Sequence, residues 1–497
     1  MIPALIALPA LAGVAAFTLK RDAVRRALLI GAAIGHGAMT ASCWWRRPEP
    51  VASGWLALDA AGLLFLTLTS LLFLASAVYA AHYLRHEERG RRTDFKEGLL
   101  FSNAPEAVFT GCLLFFLSTM TLVCASRHLG LLWVAVEGTT LASAPLIYFH
   151  RHHRSLEATW KYLVICSVGI GLALLGTLCL AVAGAGSEGG PASMVIDDLI
   201  ARGGTLQPDW LRLAFLLLLV GYGTKMGLAP LHTWLPDAHS ESPSLVSALL
   251  SGAVLNCAFL AVLRSQQVLE AGGQGDLGRN LLMTFGLASM GLAGVFVLGQ
   301  TDYKRMLAYS SVEHMGILAL GVGIGGAGAR GAMLHAVNHS LTKGVLFLVA
   351  GNILHLYRTK EVAGVRGLVR ALPISGPLWI AGMLAVTGSP PFGPFLSEFT
   401  VLYGALEQGR SVVAALYLVF LAIVFVGMGQ TVLRMSQGPL PEGGPAPAAG
   451  RPAGAAEPWT SAMVPAALAL IVLMLGVYVP PALDAIVLEA AGLVGGR

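Results

Sequence analysis

Charged residues are scarce in this chain. Only 12% of its 497 residues are Asp, Glu, Lys or Arg, whereas 56% are hydrophobic and the mean hydropathy is +0.72. Soluble proteins carry about 25% charged residues. The composition therefore excludes a soluble globular protein and predicts a chain embedded almost wholly in a membrane. The net charge of +5 is spread over the loops, which indicates membrane topology rather than binding to nucleic acid.

Signatures of bound cofactors are also missing from the sequence. The six cysteines all lie in apolar stretches, and none belongs to a CxxC pair. They are predicted to be small core residues, without an iron–sulfur or zinc framework. The sequence has no P-loop and no GxGxxG after a strand, so it indicates no nucleotide site. We therefore expect no cofactor-binding or metal-binding residues in this chain.

Long apolar runs dominate what is present. Because about twenty apolar residues cross a bilayer, the sequence predicts an all-α polytopic membrane protein. The fourteen predicted transmembrane helices lie near residues 2–19, 27–45, 58–84, 106–125, 128–149, 160–184, 210–229, 243–263, 281–299, 306–325, 330–356, 375–408, 411–434 and 460–480. The first is followed, not preceded, by basic residues, which predicts a retained helix rather than a signal peptide. The polar stretch 185–209 is predicted to be an external loop with a short surface helix.

Basic residues indicate the orientation of the chain. They concentrate in the loops that follow odd-numbered helices, and the largest cluster is RHEERGRRTDFK at 85–96. By the positive-inside rule these loops are predicted to be cytoplasmic, with both termini on the outer side. A solvated cytoplasmic face accounts for the cluster without a binding role.

Two spans contain helix-breaking residues. The seventh includes GYGTKMGLAPLHTWLPDAH (221–239) and the twelfth includes TGSPPFGPFLSEF (387–399). Proline removes a backbone donor, so both helices are predicted to break. Two broken helices five positions apart favour a pair of five-helix repeats, the second inverted. The predicted units are 1–105 with helices 1–3, 106–263 with helices 4–8, 281–435 with helices 9–13, a Gly/Pro/Ala linker at 436–459, and 460–497 with helix 14 and a tail.

The eleventh span carries three ionisable residues at intervals of four: His335, His339 and Lys343. Each step of four advances the helical azimuth by only about 40°, so the three side chains share one narrow stripe. An ionisable group at membrane depth costs roughly 2.5–3.5 kcal/mol on insertion scales. The stripe therefore favours a path for protons or ions. The alternative is that each histidine satisfies a neighbouring helix.

Three more ionisable residues lie within predicted spans: Glu137, Lys225 and Glu398. Together with the stripe they alternate in sign along the chain. A lysine buried alone releases its proton more readily, and a carboxylate within about 4–6 Å reverses this effect. Glu137 and Lys225 therefore suit a proton-loading pair. The alternative is that they form a structural salt bridge.

Weaker candidates accompany these residues. Glu313, with His314, stands in KRMLAYSSVEHMG as a side branch of the path or an ordinary helix contact. His232, Asp237 and His239 follow Lys225 in a polar segment. They are predicted either to form an inlet to the path or to cap a helix end.

Several long motifs resemble a known superfamily. GTKMGLAPLHTWLPDAHSESPSLVSALLSG, QTDYKRMLAYSSVEHMG and HAVNHSLTKGVLFLVAGN resemble the antiporter-like membrane subunits of respiratory NADH–quinone oxidoreductase. Mrp-type sodium/proton antiporters and membrane-bound hydrogenases belong to the same superfamily. LGLLWVAVEGTTLASAPLIYF, SLEATWKYLVICSVGIGLALLGT and PPFGPFLSEF are similar to the hydrogenase 4 component F branch of formate hydrogenlyase-type complexes. The resemblance covers essentially the whole chain.

The resemblance implies fourteen helices with a hydrophilic axis at mid-membrane. The family's path residues carry over to six positions: Glu137, Lys225, His335, His339, Lys343 and Glu398. Helix 8 departs from the pattern, because Ser251 stands near the place where many relatives have Lys or His. Helix 12 carries Glu398 where other relatives have lysine.

The resemblance also implies a function and partners. We expect a proton-translocating subunit of a redox-driven complex in a bacterial-type inner membrane, non-catalytic for electron transfer itself. Its partners would be other antiporter-like and small membrane subunits, together with cytoplasmic-side hydrogenase-like and iron–sulfur subunits that hold the nickel–iron and iron–sulfur centres. One alternative is a secondary Na⁺/H⁺ antiporter subunit of the Mrp type. Another is a structural membrane anchor that does not pump.

Overall fold

A computed structural model describes residues 1–87, 90–93, 98, 100–185, 193–439 and 457–494. The helices are α1 (Ile2–Thr18), α2 (Asp22–Trp45), α3 (Ala60–His86), α4 (Glu106–Ala125), α5 (Leu129–Ile147), α6 (His153–Gly184), α7 (Ile196–Ala201), α8 (Pro208–Met226), α9 (Trp234–Glu241), α10 (Ser244–Leu249), α11 (Leu255–Ala271), α12 (Gly275–Val297), α13 (Tyr303–Ile324), α14 (Ala327–Tyr357), α15 (Leu368–Ala371), α16 (Ser375–Val386), α17 (Gly393–Glu407), α18 (Ser411–Ser436), α19 (Trp459–Val477) and α20 (Pro481–Gly492). Two three-residue strands, β1 (Arg91–Thr93) and β2 (Leu100–Ser102), form an antiparallel hairpin.

Within the described ranges, eleven helices are long and apolar enough to cross a membrane, when α10 and α11 are counted as one continuous helix. Shorter apolar helices such as α1 and α16 accompany them. The prediction of an all-α polytopic membrane protein is confirmed, with the small β1–β2 hairpin as an addition. The count of fourteen spans stays a prediction.

Both predicted helix breaks are present. Gly227 ends α8 in the left-handed conformation (φ +83°), and α9 begins only at Trp234. In the second, α16 ends at Val386, Gly388 has φ +64°, and α17 begins at Gly393. Glycine adopts these positive φ values without the steric cost that a Cβ brings. At both breaks, irregular backbone therefore lies inside the helix bundle.

Other features were not predicted. A π-helical turn, Leu250–Val254, interrupts the α10–α11 helix. Beyond the predicted last span, α20 occupies part of what was predicted as a tail. The short helix expected in 185–209 is α7, whereas residues 186–192 and most of the predicted 436–459 linker lie outside the described residues.

The loops gather at two ends of the bundle, in agreement with alternating spans. Loops after predicted odd-numbered helices meet one another, as in the backbone pairings of Asn103 with His150 and of Asp302 with Glu361. Loops after even-numbered helices meet at the other end, where His128 pairs with Val195. The structure therefore separates the two groups of loops that the charge pattern assigns to opposite sides.

The centre of the bundle is formed by α13 and α14, which are almost entirely buried between neighbouring helices. α14 packs against α13, α16, α17 and α19. A buried ionic cluster lies elsewhere: Asp59 caps α3 and pairs with Arg127 at 2.9 Å and Arg264 at 3.1 Å. Because all three side chains are used in holding α3, α11 and the start of α5 together, this cluster is structural.

Candidate functional site

Lys225 lies on α8 two residues before Gly227 ends that helix, and it is 1% exposed. Its ammonium donates to Thr140 Oγ1 on α5 at 2.9 Å and to the Tyr162 hydroxyl on α6 at 2.5 Å. It also lies 4.5 Å from the centroid of the Tyr162 ring. These groups take the place of the water that a buried ammonium has lost.

Glu137 is connected to Lys225 through one hydroxyl group. Thr140 accepts a hydrogen bond from Lys225 and donates to Glu137 Oε2 at 3.2 Å. No direct ion pair between Glu137 and Lys225 occurs in the described part of the chain. The structure therefore brings the predicted pair together but differs from a simple salt bridge, because Thr140 stands between the two charges.

Glu137 also lies at the side of the bundle. It is half-buried, and its Oε1 accepts a hydrogen bond at 3.0 Å from Ser167, an exposed residue of α6. The connection that begins at Lys225 therefore reaches the lateral surface of the subunit within the membrane.

The predicted stripe on α14 is present and continues by one more turn. His335, His339 and Lys343 are all fully buried, and Phe347 follows four residues later. The Lys343 ammonium donates to the Leu307 carbonyl at 2.8 Å and to the Ser310 hydroxyl, both on α13. Like Lys225, this buried lysine is held by neutral oxygens in place of a carboxylate.

Ser251 lies in the π-helical turn and touches the same part of α13. Its hydroxyl is 2.8 Å from that of Ser311, the neighbour of Ser310. The resemblance placed Ser251 where relatives carry a basic residue, and the structure puts it beside the Lys343 contact. Glu313 follows on α13, buried within electrostatic reach of Lys343.

A histidine–carboxylate cluster lies at the other end of the stripe. His314 Nδ1 on α13 is 2.9 Å from His335 Nε2 on α14, and His335 Nδ1 is 3.0 Å from Ser397 Oγ on α17. The His339 ring lies 4.9 Å from that of His314. Glu398 follows Ser397, and one donor atom from each of His314, His335 and Glu398 lies within 4.8 Å of the other two.

The predicted inlet residues are divided between two surroundings. Asp237 on α9 binds Lys161 at 2.9 Å and Arg305 at 2.7 Å, and it lines a polar cavity of about 520 Å³ among the loops after odd-numbered helices. His239 stacks on Phe347 with ring centroids 5.0 Å apart, and neither of its ring nitrogens has a hydrogen-bond partner in the described residues. His239 therefore lies between the cavity and the stripe.

The third inlet candidate, His232, is buried and its ring lies 6.1 Å from that of Tyr309. No hydrogen bond joins it to the stripe within the described residues. It belongs to the irregular segment between α8 and α9, and its contacts favour neither the inlet nor the helix-cap interpretation.

Glu241 ends α9 in the same polar cavity, outside the spanning helices. Burial alone would raise its pKa, but Lys360 at 2.8 Å, with His152 and Arg154 nearby, outweighs burial and lowers the pKa of Glu241 to about 2. Glu241 therefore stays ionised and fixes the loop after α14 to the end of α9.

Several residues of the site were missed by sequence reasoning: Thr140, Tyr162, Ser310, Ser311, Ser397 and also Asn338, whose amide donates to Ser397 Oγ at 3.3 Å. Hydroxyl and amide side chains are common in membrane helices, so their presence alone carries no signal. Two of them could have been found by their closeness in sequence to a predicted carboxylate, since Thr140 stands one turn from Glu137 and Ser397 is adjacent to Glu398.

Comparisons with known proteins identify the family of the chain. The family described as NADH:quinone oxidoreductase/Mrp antiporter, TM, matches residues 126–425. A hydrogenase-4 component F homolog of Methylacidiphilum infernorum is 35% identical over 438 residues, which cover 88% of this chain and 87% of the relative. NADH-quinone oxidoreductase subunit N of Desulforudis audaxviator is 30% identical over 402 residues, which cover 78% and 76% of the two chains.

A solved structure shows the same fold. One chain of the membrane-bound sulfane sulfur reductase, an archaeal respiratory membrane complex, superposes with a TM-score of 0.84 at 20% identity, over 99% of this chain and 97% of that chain. Together with the family match and the 35% identity along most of both chains, this shows that the protein belongs to the antiporter-like membrane subunits of the NADH:quinone oxidoreductase, hydrogenase-4 and Mrp superfamily.

Proposed function

We propose that this subunit moves protons through the membrane along a path of buried Glu, Lys and His side chains, driven by a redox reaction in partner subunits. The observation that carries the proposal is the pair of buried lysines, Lys225 and Lys343. Each is held by hydroxyl or carbonyl oxygens and each has a carboxylate nearby: Glu137 lies beyond Thr140 for Lys225, and Glu313 lies within electrostatic reach of Lys343. A structural lysine is expected to pair directly with a carboxylate, because an unpaired buried ammonium is costly.

The proposed route has two parts. One joins Lys225 through Thr140 to Glu137 at the lateral surface. The other runs along α14 from His239 and Lys343 to His339, His335 and Glu398, with His314 as a bridge. Imidazole takes up and releases protons near neutrality in its ordinary state, which suits a relay. Water between side chains would complete the gaps that no hydrogen bond spans.

Coupling in this proposal is electrostatic. The Lys225–Thr140–Glu137 connection is made of an ammonium, a hydroxyl and a carboxylate, so a small movement of Glu137 alters how strongly Lys225 holds its proton. Because Glu137 reaches the side of the bundle, a charge change in a neighbouring subunit acts on it first. The altered charge at Lys225 then acts through the packed helices on Lys343 and on the histidine–carboxylate cluster.

The proposed setting follows the relatives. The chain would sit in a bacterial-type inner membrane with both termini on the outer side, among other antiporter-like and small membrane subunits. Nickel–iron and iron–sulfur centres would be held by hydrogenase-like partners on the cytoplasmic side. The hydrogenase-4 component F relative and its coverage of both chains support this branch.

The first test is to purify the complex through a tag on this chain in mild detergent, with mass spectrometry and metal analysis of what accompanies it. Nickel, iron and hydrogenase-like subunits are the expected companions. Iron–sulfur proteins without nickel would point to another electron donor. Recovery with small antiporter-type subunits alone would favour the Mrp alternative and overturn the redox-driven function.

The second test is Lys225→Ala in the complex reconstituted into vesicles. Proton uptake driven by the redox substrate is expected to be abolished, while electron transfer continues at least in part. Lys20→Ala changes an exposed lysine of a loop and should leave both activities unchanged. Normal proton uptake in the Lys225 variant would refute the path. Sodium-dependent proton exchange in vesicles without any redox substrate would support the Mrp alternative instead.

A further inference from the structure

The His314–His335–Glu398 cluster, at the meeting point of α13, α14 and α17, has an arrangement that proton transfer alone does not require. Donor atoms of all three residues lie within 4.8 Å of one another, and each side chain is at most 5% exposed. Two imidazoles and one carboxylate are the ligand set of many zinc sites that keep a further position open. Sodium and magnesium prefer oxygen ligands, so the donor set selects a borderline transition-metal cation.

The hydrogen bonds around His335 prepare one nitrogen for a cation. When Ser397 Oγ donates to the Pro394 carbonyl at 2.9 Å, it accepts the N–H of His335 Nδ1, which lies 3.0 Å away. In this tautomer the lone pair of His335 is on Nε2, which faces His314 Nδ1 at 2.9 Å. A metal-binding histidine is usually oriented in this way by a hydrogen bond from its other ring nitrogen.

Polar atoms of the cluster lack partners. Glu398 Oε1 is buried without a hydrogen bond to any described residue, and His314 Nε2 is buried with the Val386 backbone near the ring. A cation between His314 Nδ1 and His335 Nε2 would use the unpaired carboxylate and shift the His314 proton to Nε2. Zinc–nitrogen bonds of about 2.0–2.1 Å in a tetrahedral site need nitrogens roughly 3.3 Å apart. The two rings therefore have to separate only slightly.

The charge of a dication can also be compensated here. Glu398 is a ligand, and Glu313 is buried within electrostatic reach of it. Glu398 therefore offsets part of the charge of a dication, and Glu313, which also faces Lys343, adds to this effect. The cluster also lies close to the break between α16 and α17, because Glu398 Oε2 lies against Gly388, which is half-buried and followed by exposed Pro390 and Pro391.

Contrary to the expectation from the sequence that the chain has no metal-binding residues, we propose that His314, His335 and Glu398 form a binding site for a divalent transition-metal cation of the zinc class, and that a bound cation blocks proton passage at this point. The binding site stands on geometry alone, whereas the block rests on the proposed function. A cation there would occupy the lone pair of His335 and the free oxygen of Glu398. Neither could then accept a proton.

Binding is tested without turnover. The purified complex is titrated with Zn²⁺ by equilibrium dialysis, and with Co²⁺ to read the visible absorption of a four- or five-coordinate site. One equivalent is expected to be lost in His335→Gln and in Glu398→Gln. It should remain in His153→Gln, which removes an exposed histidine. An unchanged number of bound equivalents in the first two variants would show that only surface histidines bind zinc and would overturn the site.

A milder variant keeps the test valid if His335→Gln fails to assemble. Ser397→Ala removes the hydroxyl that orients His335. Zinc affinity should therefore fall about 10–100-fold, as it does when other residues that hydrogen-bond a metal-binding histidine are replaced. Inhibition of proton uptake by Zn²⁺ should weaken in parallel. Zinc bound at the cluster without any effect on proton uptake would keep the site and contradict the proposed path. An unchanged zinc affinity in Ser397→Ala would contradict the site itself.

Discussion

A single hydroxyl separates the ammonium of Lys225 from the carboxylate of Glu137. Thr140 accepts from one and donates to the other, so it is both a spacer and a link. Direct contact would make a strong buried ion pair that resists change. At the residue scale, the hydroxyl between them leaves both charged groups free to take part in proton transfer.

Thr140→Val tests this link because it conserves shape and removes only the hydroxyl. A buried hydrogen bond to a charged group contributes about 1.5–3 kcal/mol, so we expect proton uptake to fall by at least tenfold while electron transfer is less affected. The measurement is proton uptake against turnover in vesicles.

The control for this variant is its neighbour. Thr139→Val removes a buried hydroxyl whose one hydrogen bond to the described residues is to the Val136 carbonyl of its own helix, and it should keep normal coupling. Equal effects of the two substitutions would mean that Thr140 has no special role.

Gly388→Ala probes the contact between the second break and Glu398. A Cβ on Gly388 would lie 1.9 Å from Glu398 Oε2, so the carboxylate has to move and proton uptake should be strongly reduced. Gly409→Ala is the matched control, because Gly409 also has a positive φ (+69°) but nothing lies within 4 Å of its added Cβ. If both variants lose activity equally, backbone strain is the cause and the contact with Glu398 is irrelevant.

Elements determine where these side chains meet. The stripe on α14 depends only on a spacing of four residues, and the sequence shows it directly. The partner atoms on α13, in contrast, depend on how two helices pack, and no periodicity within one helix reveals that Ser310 faces Lys343. The π-helical turn likewise leaves no clear mark in SALLSGAVLN. For this reason the charged residues were predictable and their hydroxyl partners were not.

The end of α9 is fixed to the loop after α14 by the Glu241–Lys360 pair. The pKa of Glu241, about 2, lies below its usual 4.5. The pair therefore stabilises the folded state fully above about pH 4.5, and this contribution is lost as the pH falls toward 2. Glu241→Gln should lower the melting temperature at pH 7, and the difference from the unmodified protein should shrink below pH 4.5.

The comparison for this element is Glu157→Gln. Glu157 forms an exposed pair with Lys161, and such pairs contribute about 0–1 kcal/mol. Its melting temperature should stay close to that of the unmodified protein in detergent. A large loss in this variant, or none in Glu241→Gln, would show that burial of the cavity pair has been misjudged.

At the scale of the whole molecule, composition and span length were sufficient to predict an all-α polytopic protein, and proline clusters were sufficient to locate both breaks. The two inverted five-helix units stay a prediction, because they rest on helix order rather than on any measured symmetry. The hairpin and α20 were missed, since their short polar or mixed segments are indistinguishable from loops by hydropathy.

Orientation can be measured in the whole molecule. In a variant without its six native cysteines, a cysteine replacing exposed Arg151 should react with an impermeant thiol reagent only from the cytoplasmic side. A cysteine replacing Asp209, which lies near the opposite end and has a side chain 95% exposed, should react only from outside. The reverse pattern would invert the predicted topology.

Glu137 has a consequence for how the protein exists in a cell. Its carboxylate and the exposed Ser167 form a polar spot on a wall that would otherwise face lipid. An ionisable group at membrane depth costs roughly 2.5–3.5 kcal/mol on insertion scales, so a lone subunit carries a cost that a neighbouring protein surface reduces. The same carboxylate that begins the proton connection thus favours assembly, and the unassembled subunit is expected to be less stable in the cell than the assembled one.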